Sequence, residues 1–213
     1  MKKSLMLLSA LGMSINAHAT LMLCEGAGCE IQGAGIENVL LPDVGDTGTE
    51  IIGQTNLTFV DVRFAGNGET LEVLGGGQAR LGAVDGILDM ITVDTVDDAL
   101  GFEHVVFNVD VAVDTTVDIY AYDNFGTLFD FGTLAADGQG QNWFTIGSDD
   151  IQYIDSFTIE GDGIVAMTDI QQIRVDPDLL PGDPDPVDVM SPDSMALLAL
   201  GLCGLFSARI RKS

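Results

Sequence analysis

His104-Val-Val-Phe-Asn-Val-Asp-Val-Ala-Val113 decides the fold class. Val105, Phe107, Val109, Val111 and Val113 fall on one side of a two-residue period, while His104, Asn108 and Asp110 fall on the other. That is the pattern of a strand with one face on a core and one toward water. Downstream, Val117, Ile119 and Ala121 repeat the alternation. Asp123-Asn124-Phe125-Gly126 then supplies turn residues before 127–134, which predicts a hairpin. Further strands are predicted over 56–64, 70–74, 78–83, 88–93, 142–146, 153–160 and 169–175. Glycine and aspartate punctuate these runs and no long helical period appears. The expected fold is therefore all-β: an antiparallel β-sandwich, jelly-roll-like, with a barrel as the runner-up.

The ends read differently. Residues 1–19 carry Lys2 and Lys3, an apolar run from Leu5 to Ile15, and the small-x-small pattern Ala17-His18-Ala19. This is the three-part layout of a secretory signal helix, with cleavage expected after Ala19 so that the exported chain starts at Thr20. The predicted β domain covers 20–175. A linker over 176–190 follows, stiffened by Pro177, Pro181, Pro184 and Pro186. The last segment, 191–213, holds a short apolar helix at 195–208 and then Arg209, Arg211 and Lys212. Its 14 residues fall short of the roughly 20 that cross a hydrocarbon core, and the basic end would stay cytoplasmic.

Ser191-Pro192-Asp193-Ser194, the Leu/Ala/Gly-rich helix and the arginine-rich terminus together resemble the PEP-CTERM sorting tail. One proline and one acid of the family's usual Val-Pro-Glu-Pro are kept, with Asp in place of Glu. The β domain is similar to those found ahead of such tails through Thr55-Asn56, Gly77-Gln78-Ala79-Arg80, Phe102 to Asn108, Gly140 to Ile146 and Asp169 to Arg174. The resemblance implies processing by an exosortase-like membrane protease of a Gram-negative bacterium that makes exopolysaccharide. It further implies delivery to the cell surface or extracellular matrix, with membrane contact through the C-terminal segment. It carries over no catalytic residue.

All 33 acidic residues lie between Glu25 and Asp193, where Arg63, Arg80 and Arg174 are the basic ones. The net charge of that part is near −30, which excludes nucleic acid as a partner and suits a saline medium or divalent cations. Asp94, Asp97 and Asp98 are candidate calcium ligands, hard oxygens close in sequence, and Asp43 with Asp46 is a second such group. Cys24 and Cys29, separated by a stretch with Gly26 and Gly28, are expected to pair as a disulfide in an oxidising compartment. Trp143 is either a packing anchor or a sugar-stacking surface.

Catalytic constellations are not found. Once His18 leaves with the signal, His104 is the remaining histidine, and neither Ser148 nor Ser156 sits in a nucleophile elbow. No lysine lies between Lys3 and Lys212, which removes Schiff-base and P-loop chemistry. The expected function is that of a non-enzymatic exported surface or matrix protein associated with exopolysaccharide or biofilm. The alternative is a calcium-assisted carbohydrate-binding module using Trp143; a glycan-active enzyme is third.

Overall fold

Alternating side chains become strands throughout, and the computed structural model describes residues 20–26, 29, 35–75, 78–148, 152–161 and 167–180. In chain order the strands are β1 (Met22–Glu25), β2 (Glu37–Leu40), β3 (Thr47–Gly48), β4 (Glu50–Thr55), β5 (Asp61–Ala65), β6 (Leu71–Gly75) and β7 (Arg80–Ala83). They continue as β8 (Met90–Thr95), β9 (Leu100–Val111), β10 (Thr115–Asp123), β11 (Leu128–Ala136), β12 (Asn142–Gly147), β13 (Ile154–Gly161) and β14 (Met167–Leu179). No helix among the described residues is long and apolar enough to cross a membrane. The segments expected as a signal helix and a C-terminal apolar helix lie outside the described residues.

Among the described residues every pairing between these strands is antiparallel, and the ladder closes on itself. From β9 it passes through β13, β8, β5, β4, β2 and β14 and returns to β9. Three flaps leave this ring: β12 with β1 from β9, β10 with β11 from β13, and β7, β6 and β3 from β14. The result is a barrel-like β-sandwich, the closure removing sheet edges that would otherwise stand open.

The core is the inward half of each alternation. Phe64, Phe102, Phe107, Phe144 and Phe157 are fully buried, joined by Val105, Val109, Val117, Ile119 and Ile159. Phe107 stacks on Phe157 with ring centres 5.1 Å apart and meets Phe144 at 5.7 Å. The predicted hairpin forms between β10 and β11. Asp123 closes its turn by accepting from the Phe125 and Thr127 amides at 2.9 and 2.7 Å, and Gly126 takes a φ of 76° there.

Four details depart from the sequence pattern. Val113 lies beyond the end of β9 and is 53% exposed, because the chain has already bent toward β10. Asn108, expected on the solvent side, is fully buried: β9 runs between β12 and β14, and Trp143 and Gln171 flank Asn108 in register. The run expected as one strand over 56–64 starts with a turn at 56–58 and becomes β5 only at Asp61, with β4 lying before it. Finally β14 continues through Asp176 and Pro177 to Leu179, so the start of the proline-rich stretch pairs with β9. The ladder shifts register between Asp176 and Pro177, the kind of place where a sheet tolerates a residue without an N–H.

Candidate functional site

Residues that alternate with the core must face outward, and on the β11-β10-β13-β8-β5-β4 surface they form two cross-strand rows. Leu128, Tyr122, Ser156, Asp94, Arg63 and Ile52 are successive register partners in the first. Asp130, Tyr120, Thr158, Thr92, Ala65 and Glu50 make the second. Three strand spacings of about 4.8 Å put the tyrosine strand roughly 14 Å from the Arg63 strand.

The polar groups on this face are held in place. Arg63 donates from Nε to Asp94 Oδ1 at 2.9 Å and from Nη2 to Asp94 Oδ2, a two-point pair that raises the affinity of the guanidinium for its proton. The Thr92 and Thr158 hydroxyls lie 2.8 Å apart, and Asn67 Nδ2 donates to Thr92 at 2.8 Å. The Tyr120 hydroxyl donates to Glu160 at 3.5 Å. Partial burial, then the Asp118, Glu160 and Asp130 carboxylates, push the Tyr120 phenol above its ordinary range. Tyr120 is half-buried, whereas Tyr122 is 44% exposed and free to offer its ring.

Beyond the Arg63 end of these rows stands Phe59, 67% exposed and with a φ of 61°. A bulky residue in the left-handed region is costly unless its surroundings impose it. Here they do. Buried Glu37 accepts from the Leu57 and Thr58 amides at 2.8 and 2.9 Å, Asn56 Oδ1 accepts from the Asn38 amide, and Thr55 accepts from the Val60 amide. Burial opposes ionisation of Glu37, but the amide hydrogen bonds outweigh it and its pKa is lowered. Phe59 thus separates two grooves. One, of about 380 Å³, is lined by Leu40, Pro42, Ile52 and Gln54. The other, of about 620 Å³, is lined by Asp61, Val96, Asp97 and Asp98.

The residues singled out from sequence fall in several places. Asp94, Asp97 and Asp98 do not bring three carboxylate oxygens within 4.8 Å of one another; Asp94 is paired with Arg63, and Asp97 Oδ1 accepts from the Ala99 amide at 3.0 Å to close its own turn. Asp43 likewise closes a turn, its carbonyl accepting from the Asp46 amide. Trp143 sits half-buried on β12, its Nε1 donating to Gln141 at 3.1 Å. The Arg174 guanidinium lies over its ring, 5.8 Å from the centre, so a cation occupies one face of that ring. A disulfide joins Cys24 and Cys29. Thr20 is exposed at the start of the described chain. Ala17, Ala19, Ser191, Pro192, Asp193, Ser194, Arg209, Arg211 and Lys212 lie outside the described residues. Sequence reasoning missed Tyr120, Tyr122 and Phe59. The two tyrosines were legible as the complement of Val117, Ile119 and Ala121; Phe59 was not, because its exposure depends on a buried carboxylate contributed from β2.

No family model matches this chain, and no curated protein does. Among solved structures it is similar to a family 29 carbohydrate binding module in mutant form, at 11% identity and a TM-score of 0.30, covering 80% of this chain and 99% of that one. A second family 29 module, from Piromyces equi, gives 11% identity and a TM-score of 0.24, covering 74% and 90%. Likeness at this level says nothing about which residues bind a ligand.

Proposed function

We propose that this chain is an exported, non-enzymatic surface or matrix protein whose outer barrel face binds a neutral polysaccharide. The observation that carries the proposal is the pair of cross-strand rows in which Tyr122 and Tyr120 stand beside fixed hydroxyl, carboxylate and guanidinium groups. Aromatic rings offer an apolar surface to the C–H face of a sugar, and preset polar groups exchange hydrogen bonds with its hydroxyls. A chain laid across the strands would meet the tyrosines first, then Ser156 and Thr158, then Asp94 with Arg63, and end against Phe59.

Charge selects the ligand class. Asp61, Asp94, Asp118, Asp130 and Glu160 share this face with Arg63, and Arg63 is neutralised by Asp94. A uronate-bearing polymer would be repelled, and a neutral one would not. Calcium is not required, since the ligand contacts fall on side chains whose positions protein hydrogen bonds already set.

Calorimetric titration of the full chain with neutral glucans, mannans and galactans, and with an acidic polymer as control, tests the binding. Saturable binding of a neutral polymer that survives EDTA supports it; preference for the acidic polymer overturns it. Export and sorting by an exosortase-like protease form the other half of the proposal, motivated by the two termini. Its check is the intact mass of the protein from host cell fractions. Ends near Thr20 and Ser191-Pro192-Asp193 support sorting by cleavage, whereas a mass running through Ser213 in membranes means a retained anchor.

A further inference from the structure

The barrel carries a second constellation, at the start of β9 and outside the tyrosine rows. Successive residues of a strand point to opposite faces, so Glu103 and His104 should diverge. They do not. The β9–β14 ladder pairs Asp176 with His104 and Pro177 with Phe102, leaving Glu103 as an extra residue on β9, a β-bulge. A bulge re-aims side chains, and here it turns Glu103 toward the side on which His104 meets Asp176. One ligating atom from each of Glu103, His104 and Asp176 lies within 4.8 Å of the others.

Of the His104 ring atoms, Nδ1 is the informative one. It is shielded from solvent and has no hydrogen-bond partner, although Asp176 Oδ2 is 3.7 Å away. A shielded, unpartnered polar atom is unfavourable, and a histidine–aspartate pair formed for its own sake would close to hydrogen-bond distance. The gap is instead near the ~3.4 Å edge of a tetrahedron built with metal–ligand bonds of about 2.1 Å. The His104 and Asp176 side chains are only 16% and 15% exposed, and a β-carbon at Gly35 would collide with the Asp176 carboxylate, so the chain packs directly against this group.

We propose that Glu103, His104 and Asp176 form a binding site for a divalent transition-metal ion of the zinc and copper class. A neutral imidazole selects such ions over calcium, and two carboxylates balance the charge of a dication. Three protein ligands leave a fourth position for water.

The test uses the full chain, without a histidine tag, stripped with chelator and held in excess calcium to occupy the acidic surface. Zn²⁺ is titrated by calorimetry, and Cu²⁺ is followed by electron paramagnetic resonance. The expected result is one ion per chain, with nitrogen splitting from a single imidazole. His104→Gln should remove the splitting, whereas His18→Gln should leave it intact. Glu103→Gln and Asp176→Asn, which keep side-chain shape, should each weaken Zn²⁺ at least about tenfold with unchanged circular dichroism. Absence of Zn²⁺ binding in calcium, a copper spectrum without the splitting, or equal affinity in Glu103→Gln and Asp176→Asn would overturn the proposal and leave His104 and Asp176 as a simple ion pair.

Discussion

Asp94 of β8 holds Arg63 of β5 by two hydrogen bonds, in the same cross-strand row as Tyr122. The pair lies partly in solvent, with side chains 21% and 36% exposed, so its own effect on stability is small. Its consequence is positional: a planar donor group is fixed at one end of the face. Asp94→Asn should leave unfolding within about 1 kcal/mol of the parent while weakening polysaccharide binding. An unfolding midpoint and a calorimetric titration on one preparation separate the two effects.

The tyrosines and the tryptophan should behave oppositely. Tyr122→Ala removes the most exposed ring of the rows and should weaken binding of a neutral glycan at least about tenfold, equivalent to about 1.4 kcal/mol. Trp143→Ala should leave affinity unchanged, because that ring stands on β12, outside the rows, with Arg174 over one face. Loss of binding in Trp143→Ala with retention in Tyr122→Ala would move the site to the β12 surface.

The loop that displays Phe59 should depend on Glu37. Glu37→Gln leaves the Leu57 and Thr58 amides with a weaker acceptor at a buried position and should cost about 1–3 kcal/mol. The folded pKa of Glu37 is lowered, so its contribution is present above the ordinary carboxylate pKa and is lost as pH falls through the folded value. The difference in urea midpoint between parent and variant should therefore shrink in strong acid.

Asp110 and Glu69 act in the other direction. Burial raises both, and the neighbouring Asp169 carboxylate adds to the effect on Asp110. Groups with raised folded pKa values stabilise below their ordinary range, and that contribution is lost as pH rises through the folded value. Stability should accordingly increase as pH falls through the raised folded values toward the ordinary carboxylate range, and an Asp110→Asn, Glu69→Gln double variant should flatten the rise. Denaturant midpoints across that interval give the sign directly.

Core truncation should be severe. Phe107 is fully buried between Phe144 and Phe157, and Phe107→Ala should cost about 3–5 kcal/mol, visible as a large drop in thermal midpoint.

Much of the fold was legible because a two-residue period assigns most side chains of a strand to one face or the other, Asn108 and Val113 being exceptions. The alternation in 104–111 and 117–121 located β9 and β10, and Asp123 with Gly126 located the hairpin. The four strands β1 to β4 were not read, since Met22–Glu25, Glu37–Leu40 and Thr47–Gly48 are too short to show a period, and Gly53 interrupts Glu50–Thr55. Of the site, the sequence supplied Asp94 as a candidate, which the structure pairs with Arg63, while Trp143 lies on β12, outside the two rows.

By itself the sequence determined the class of structure, the acidic surface and the pattern of apolar side chains that build the core, because these follow from local alternation and composition. Only the tertiary structure decided which outward residues lie together. Tyr122 and Arg63 are 59 positions apart in the chain, yet hydrogen-bonded ladders set them three strands apart on one face. The bulge that brings Glu103 beside His104 and Asp176 exists only as a mismatch between β9 and β14. Register is a relation between distant segments, and no single segment encodes it.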